Sequence, residues 1–328
     1  MLSRRMWFGA LFAAAGLTCG APRAWSAAPP PHWPDALTLA TASPGGTYYA
    51  YGDGLAKILT RVLGIPVLTQ PTAGPTENIR LIEDGRAQIG FVIMGAALEA
   101  WSGAGDWTGG RQLRAMRAMF PMYDTPFHFV VRRESGTRAI SDLAGKPVGV
   151  GPQGGTAATY MPRLLARLGA ETQPVHGTWA DLATRLRAGQ IEGLAVAAGV
   201  PFPAITDLEA ARAIRYLPLS REQVVALRLV APELTASVIP PGAYPSLMAG
   251  YETVGLYNFA VVHRDLPLDL VYEITKAVFE HHAEMVEAHP AAASTVPANF
   301  VHNTLLPFHD GALRYYGNRA TRGVLTGD

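Results

Sequence analysis

Two stretches of this 328-residue sequence bring glycine, a hydroxyl and a helix start together. They are Ser43-Pro44-Gly45-Gly46-Thr47-Tyr48 and Gly151-Pro152-Gln153-Gly154-Gly155-Thr156. Glycine lets backbone N–H groups approach a ligand closely, and a helix N-terminus offers unpaired donors with partial positive charge. The chemistry on offer is capture of an anion. Thr47 and Thr156 can cap their helices or touch the ligand. An ordinary tight turn is the plainer reading of either junction alone; two at matching places in two blocks point to a site between lobes. Neither is a nucleotide-phosphate loop, because no Gly-Lys-Ser/Thr follows. A third junction, Thr72-Ala73-Gly74-Pro75-Thr76-Glu77-Asn78, again sets donors at a helix start. For Thr76 plain capping is the expectation.

Catalytic sets are missing from the sequence. It has no Gly-x-Ser-x-Gly elbow and no His-Glu-x-x-His. Cys19 is its single cysteine. His281, His282 and His289 fall on or near one expected helix, and His282 and His289 stand two turns apart, too far to share a metal. They read as packed or solvated, and His309 reads as a turn residue. Neither metal nor cofactor is expected.

The elements that must position these junctions alternate between strand and helix, the pattern of an α/β fold. Strands are expected at 37–41, 65–69 and 89–94, with helices after the first two. A second block begins after Pro121, with strands at 127–132, 148–151 and 194–198. Its first helix carries Pro162, which should kink it. Residues 251–263 are a long apolar stretch that returns the chain to the first block. Residues 267–289 read as one long helix stopped by Pro290.

The first segment is a targeting signal. Arg4 and Arg5 precede an apolar run from Met6 to Gly20, and Ala24-Trp25-Ser26 supplies a cleavage site. The run is shorter than the roughly 20 residues of a spanning helix. Ser3-Arg4-Arg5-Met6-Trp7-Phe8 also resembles a twin-arginine signal, with Trp7 in the usual Phe position. Cleavage after Ser26 removes the cysteine and three arginines but no acid, taking the net charge from +1 to −2. The 49% apolar and 16% charged composition suits globular cores. No basic patch with interleaved aromatics suggests nucleic acid. Ala27 to Pro34 reads as a poorly ordered linker.

The sequence resembles the TAXI family (TRAP-associated extracytoplasmic immunogenic proteins), the solute receptors of tripartite TRAP transporters. The matching segments are Thr41 to Tyr49, Thr72 to Ile79, Leu143 to Gly151, Gly154-Gly155-Thr156, Ala198-Gly199-Val200-Pro201 and Leu306 to Tyr316. The resemblance spans about Leu37 to Tyr316. It implies a type II periplasmic-binding-protein fold, two α/β lobes with a ligand cleft between them. It implies a periplasmic receptor, monomeric and without enzymatic activity, that takes a small organic acid or amino-acid-like carboxylate to a TRAP membrane subunit. Ser43, Gly46, Thr47 and Tyr48 would line one wall, with Thr72 and Asn78 from a second motif. Gln153, Gly155 and Thr156, with Gly199, Val200 and Pro201, would face them. The expected layout is a signal peptide at 1–26, a linker at 27–36, lobe 1 at 37–122, lobe 2 at 123–245 and a return to lobe 1 at 246–328. Hinges are expected at 121–125 and 240–251.

The sequence departs from the family in three places. Pro75 stands where the family has Ser, Ile93-Met94-Gly95 replaces a polar run, and Gln153-Gly154 replaces Gly-Ser. These changes favour a less polar acid over glutamate. An enzyme on the same fold, a sensory receptor and a tripartite tricarboxylate receptor are the competing readings.

Overall fold

The computed structural model describes residues 28–211 and 213–320. The expected signal peptide lies outside the described residues. β1 (Leu37–Ala40) leads into α1 (Thr47–Leu63), whose Tyr48, Tyr51, Leu55, Ile58 and Leu59 turn one apolar face inward. Gly64 ends that helix at φ 72°, a left-handed conformation that favours glycine. β2 (Val67–Gln70), α2 (Pro75–Glu83), β3 (Ile89–Ile93) and α3 (Met94–Ser102) follow. β1 pairs in parallel with both β2 and β3, so each crossover carries a helix. β3 is buried along its whole length.

β4 (Met116–Arg132) is one 17-residue strand. The expected strand at 127–132 is only its last part, and Pro121 is inside it rather than at a boundary. The second lobe then adds β5 (Pro147–Gly149), α4 (Thr156–Arg167), β6 (Gln173–Val175), α5 (Trp179–Arg187), β7 (Gly193–Ala197), α6 (Pro203–Ala210), β8 (Ile214–Tyr216) and α7 (Arg221–Val230). β9 (Thr235–Ile239) and β10 (Tyr251–His263) bring the chain back. α8 (Leu268–Glu280), α9 (His282–Ala288) and α10 (Asp310–Ala320) complete it.

The strand order is β2-β1-β3-β10-β4-β7-β5-β6, with β8 also on β4 and β9 also on β10. β4 and β10 are the strands that join the two α/β lobes. β4 pairs with β10 as far as Pro126, and with β7 from Phe127 onward. β10 pairs with β9 through Gly255 and with β3 from Asn258. Both strands therefore change partner at one level of the fold, where their register also shifts between Tyr257 and Phe259. The second crossing is β10 itself. The chain at 240–250 folds back on the second lobe, because the buried Tyr244 hydroxyl accepts from the Phe202 N–H at 2.9 Å and meets His128 Nε2 at 3.0 Å.

Two further expectations are corrected. The helix expected over 267–289 breaks at His281, which leaves helical geometry at φ −105°, ψ 29°. Its Nδ1 lies 2.7 Å from Glu284, and Arg61 donates to the same carboxylate at 2.8 Å, holding the break. The segment read as a loose linker is anchored: His32 Nε2 and the Trp33 indole both bond to Asp269, at 2.9 and 3.0 Å.

Candidate functional site

The helix starts of α1, α2 and α4 converge on one cavity of about 60 Å³ between the lobes. From the first lobe come Ser43, Gly46, Thr47 and Tyr48, then Ala73, Gly74 and Pro75. From the second come Pro152, Gly155, Thr156 and Ala157, with Trp179, Ala198, Gly199 and Phe202. Tyr123 and Thr125 of β4 and Asn258 of β10 form the floor.

Glycine permits this convergence. Gly74 sits at φ 139°, and a Cβ there would lie 3.2 Å from the Gly155 Cα and 3.3 Å from the Gly154 carbonyl. Two helix starts thus meet backbone to backbone. No side chain caps α1 at Gly46, α2 at Gly74 or α4 at Gly155. The N–H groups of Thr47, Tyr48, Thr156 and Ala157 have no acceptor among the described residues. These are the orphan donors of a helix start, and they carry the positive end of the macrodipole.

The lining is neutral. None of the described residues that form it is charged. Asn258 is fully buried and organises the floor. Its Oδ1 accepts from the Tyr48 hydroxyl at 2.6 Å, and its Nδ2 donates to the Tyr123 carbonyl and Thr125 Oγ1, both at 2.6 Å. Burial pushes the Tyr48 and Tyr123 phenols up, so both stay protonated. Strand alternation turns the intervening Asp124 to the reverse face, where Ser237 and Thr235 donate to it. Burial there raises its carboxyl above the ordinary range.

Several contacts tie the lobes together around the cavity. The Gly199 N–H donates to Thr47 Oγ1 at 3.1 Å. Thr76 Oγ1 donates to the Gly154 carbonyl at 3.4 Å. Thr76 is therefore a cross-lobe contact; the N-cap of its helix is Gly74, with no side-chain bond. At the edge, Arg163 of α4 pairs with Glu99 of α3 at 3.2 Å.

Of the residues singled out from the sequence, Ser43, Gly46, Thr47, Tyr48, Gly155, Thr156 and Gly199 line the cavity. Thr72 and Asn78 do not. Asn78 Nδ2 donates to the carbonyls of Thr41 and Phe91, both at 2.8 Å, and its Oδ1 accepts from Thr72 Oγ1 at 2.7 Å. The pair braces the loop behind Gly74. Gln153 is exposed, and Val200 and Pro201 lead the chain to Phe202 without lining the cavity. Ile93, Met94 and Gly95 belong to the core behind the site. A Cβ on Gly95 would fall 1.9 Å from the Tyr160 hydroxyl, so that glycine makes room for a ring. The contrast with the family's polar run therefore says nothing about the ligand.

Sequence reasoning missed Trp179, Tyr123, Thr125 and Asn258. Asn258 had a readable signal, a lone amide within the apolar run Leu256-Tyr257-Asn258-Phe259-Ala260. The histidines are structural: His282 Nε2 meets the Ala292 carbonyl at 2.8 Å, His289 Nδ1 accepts from Ala291 and His309 Nδ1 from Gly311. No group of three or more metal-ligating side chains comes together among the described residues.

Among solved structures, the periplasmic binding protein BugD is similar at 13% identity, with a TM-score of 0.55 over 89% of this chain and 95% of that one. A protein of Bordetella bronchiseptica RB50 matches at 14% identity and 0.50, over 89% and 82%. The alkanesulfonate-binding protein SsuA from Xanthomonas axonopodis pv. citri, bound to MOPS, gives 15% and 0.48, over 90% and 96%. At 13% identity the likeness to BugD is one of fold, and the fold is that of type II periplasmic binding proteins, two α/β lobes about a cleft. The sequence itself matches the NMT1-like family over residues 39–318, and the chain belongs to that family.

Proposed function

We propose that this protein is the extracytoplasmic receptor of a tripartite TRAP transporter, and that it captures a small organic monoanion for the membrane permease. The observation that carries the reading is the convergence of three uncapped helix starts, from both lobes, on a cavity with no charged lining. Hydrogen bonds to a charged group contribute about 1.5–3 kcal/mol each, so three or four hold a carboxylate without a formal ion pair. The lining offers hydroxyls but no general base, which supports capture over turnover. The TAXI-like segments around Gly46, Gly74, Gly155 and Gly199 favour the TRAP partner.

Specificity follows from what faces the ligand. An ammonium group brought into this cavity meets no carboxylate, and an uncompensated buried charge costs several kcal/mol. Amino acids are therefore disfavoured. A second carboxylate finds no arginine or lysine, which disfavours dicarboxylates. Ala198, Trp179 and Phe202 suit a short apolar or flat body. This keeps the preference for a less polar acid and moves its basis from Ile93 and Met94 to the second-lobe wall.

Binding is coupled to closure of the lobes about a hinge. We place it where β4 and β10 change partners, at 123–127 and 255–258. Export to the periplasm accompanies the role, and N-terminal sequencing of periplasmic protein should begin near Ala27. The decisive experiment is a thermal-shift screen of monocarboxylates, dicarboxylates and amino acids. A ligand at 100 times its Kd stabilises by about 2.7 kcal/mol. Stabilisation by glutamate alone, or by amines, overturns the reading.

A further inference from the structure

Trp179 opens α5, and its backbone is fixed by the preceding cap, in which Thr178 Oγ1 accepts from the Asp181 N–H at 3.1 Å. Its ring packs edge-on against Phe202, with centroids 5.3 Å apart and planes at 84°. The other side of the ring lies over Gly151, where a Cβ would come within 2.4 Å of Trp179 Cζ2. The indole is thus held between a glycine and a phenylalanine, on the wall of the cavity, and is only 7% exposed.

Its N–H donates to no described residue. A buried indole N–H ordinarily finds an acceptor. Two other tryptophans obey that rule with carboxylates: Trp33 donates to Asp269 at 3.0 Å and Trp107 to Glu99 at 2.8 Å. Nor is the Trp179 nitrogen sealed into the core as the unpartnered Tyr160 hydroxyl is. The second-lobe wall of the cavity thus carries an indole whose N–H has no partner among the described residues.

We propose that Trp179 is a specificity-determining residue of this cavity: its indole N–H donates to an oxygen of the bound anion, and its ring covers the carbon body beside that oxygen. This inference rests on the anion-binding reading above and deepens it. The favoured class is a monocarboxylic acid with a second acceptor oxygen next to the carboxylate, a 2-oxo or 2-hydroxy acid, on a short or flat carbon chain. The helix starts take the carboxylate. The indole takes the second oxygen or shares the first.

The test uses the mature chain, residues 27–328, and four sodium salts as probes: acetate, isobutyrate, pyruvate and 2-oxobutanoate. Calorimetry should give tighter binding for the two oxo acids. Trp179→Phe keeps an aromatic ring and removes the donor, so the oxo acids should bind roughly tenfold to a hundredfold more weakly. Acetate and isobutyrate should change much less. A second measurement does not depend on the variant. The mature chain has four tryptophans, Trp33, Trp101, Trp107 and Trp179. In a 1H–15N spectrum of the unsubstituted protein, the Trp179 indole proton, assigned by replacing the other three in turn, should move downfield with pyruvate. Oxo-acid binding with neither an effect of Trp179→Phe nor a shifted indole proton overturns the assignment and leaves the anion site standing. Binding of none of the four salts overturns both.

Discussion

Replacing Gly199 by alanine adds one methyl group where the second lobe meets the first beside the cavity. The backbone there is not left-handed, so the substitution introduces no local strain. The new Cβ would stand 2.8 Å from Thr47 Cγ2, 3.0 Å from Ala291 Cβ and 3.0 Å from Tyr123 Cε2. Thr47 and Ala291 belong to the first lobe and Gly199 to the second, so separating the lobes relieves two of the three contacts. Overpacking of this kind costs about 1–3 kcal/mol. Charged to the closed form alone, it weakens ligand binding roughly fivefold to 150-fold. Calorimetry with the best acid from the thermal-shift screen measures the loss directly. Small-angle scattering under saturating ligand should show Gly199→Ala with a larger radius of gyration than the unsubstituted protein. The unliganded melting temperature should move by no more than a few degrees. An affinity within twofold of the original, with an unchanged radius, refutes the reasoning that closure passes through this contact.

Three further outcomes are expected. His128 is fully buried, and burial pulls its pKa down to about 3 from 6.5, so only the unfolded chain takes up its proton between those values. Stability should fall as pH drops below 6.5, by about 1.4 kcal/mol per unit, and His128→Gln should flatten that slope in urea melts. Asn258→Leu leaves the Tyr48 hydroxyl and the Tyr123 carbonyl without their partner; thermal unfolding should show a loss of about 1–3 kcal/mol per orphaned group. Arg163→Gln removes a half-exposed ion pair between the lobes, so ligand affinity should drop by no more than about fivefold and lose part of its salt dependence.

Much of the architecture was legible because the apolar periods are clean. β1, α1, β3 and the β10 stretch all follow from spacing alone, and the glycine junctions located the helix starts that meet at the cavity. Only the last part of β4 is legible in the sequence, because Pro121 reads as a boundary and Pro126 directly precedes the run that reads as a strand. Both are tolerated within the strand: Pro121 stands opposite Phe259, just past the register shift, and Pro126 stands where β4 exchanges one partner for another. The break at His281 depends on Arg61, far away in sequence, and no local pattern carries it. The site divided in the same way. Backbone donors announced themselves through glycine, whereas Trp179 and Tyr123 reach the cavity only through tertiary packing. Thr72 and Asn78 looked like ligand groups because a polar motif beside a site and a polar motif bracing a site have the same composition.

The placement of β10 also has a bearing on how the chain is made. Phe91 in β3 pairs on one side with Ala260, in the last quarter of the sequence. β4 waits for the same strand along much of its length. During synthesis the first sheet therefore has an open edge at β3, all of it apolar, until the ribosome has passed His263. Sheets that depend on such distant pairings fold slowly, because loop closure must precede the contacts that reward it. An uncovered apolar edge also recruits other chains. The nascent protein thus has a long window in which a holding chaperone or a secretion channel outcompetes its own folding. A chain released before Tyr251 leaves that edge uncovered for good, so shortened products should aggregate rather than persist as a soluble first lobe.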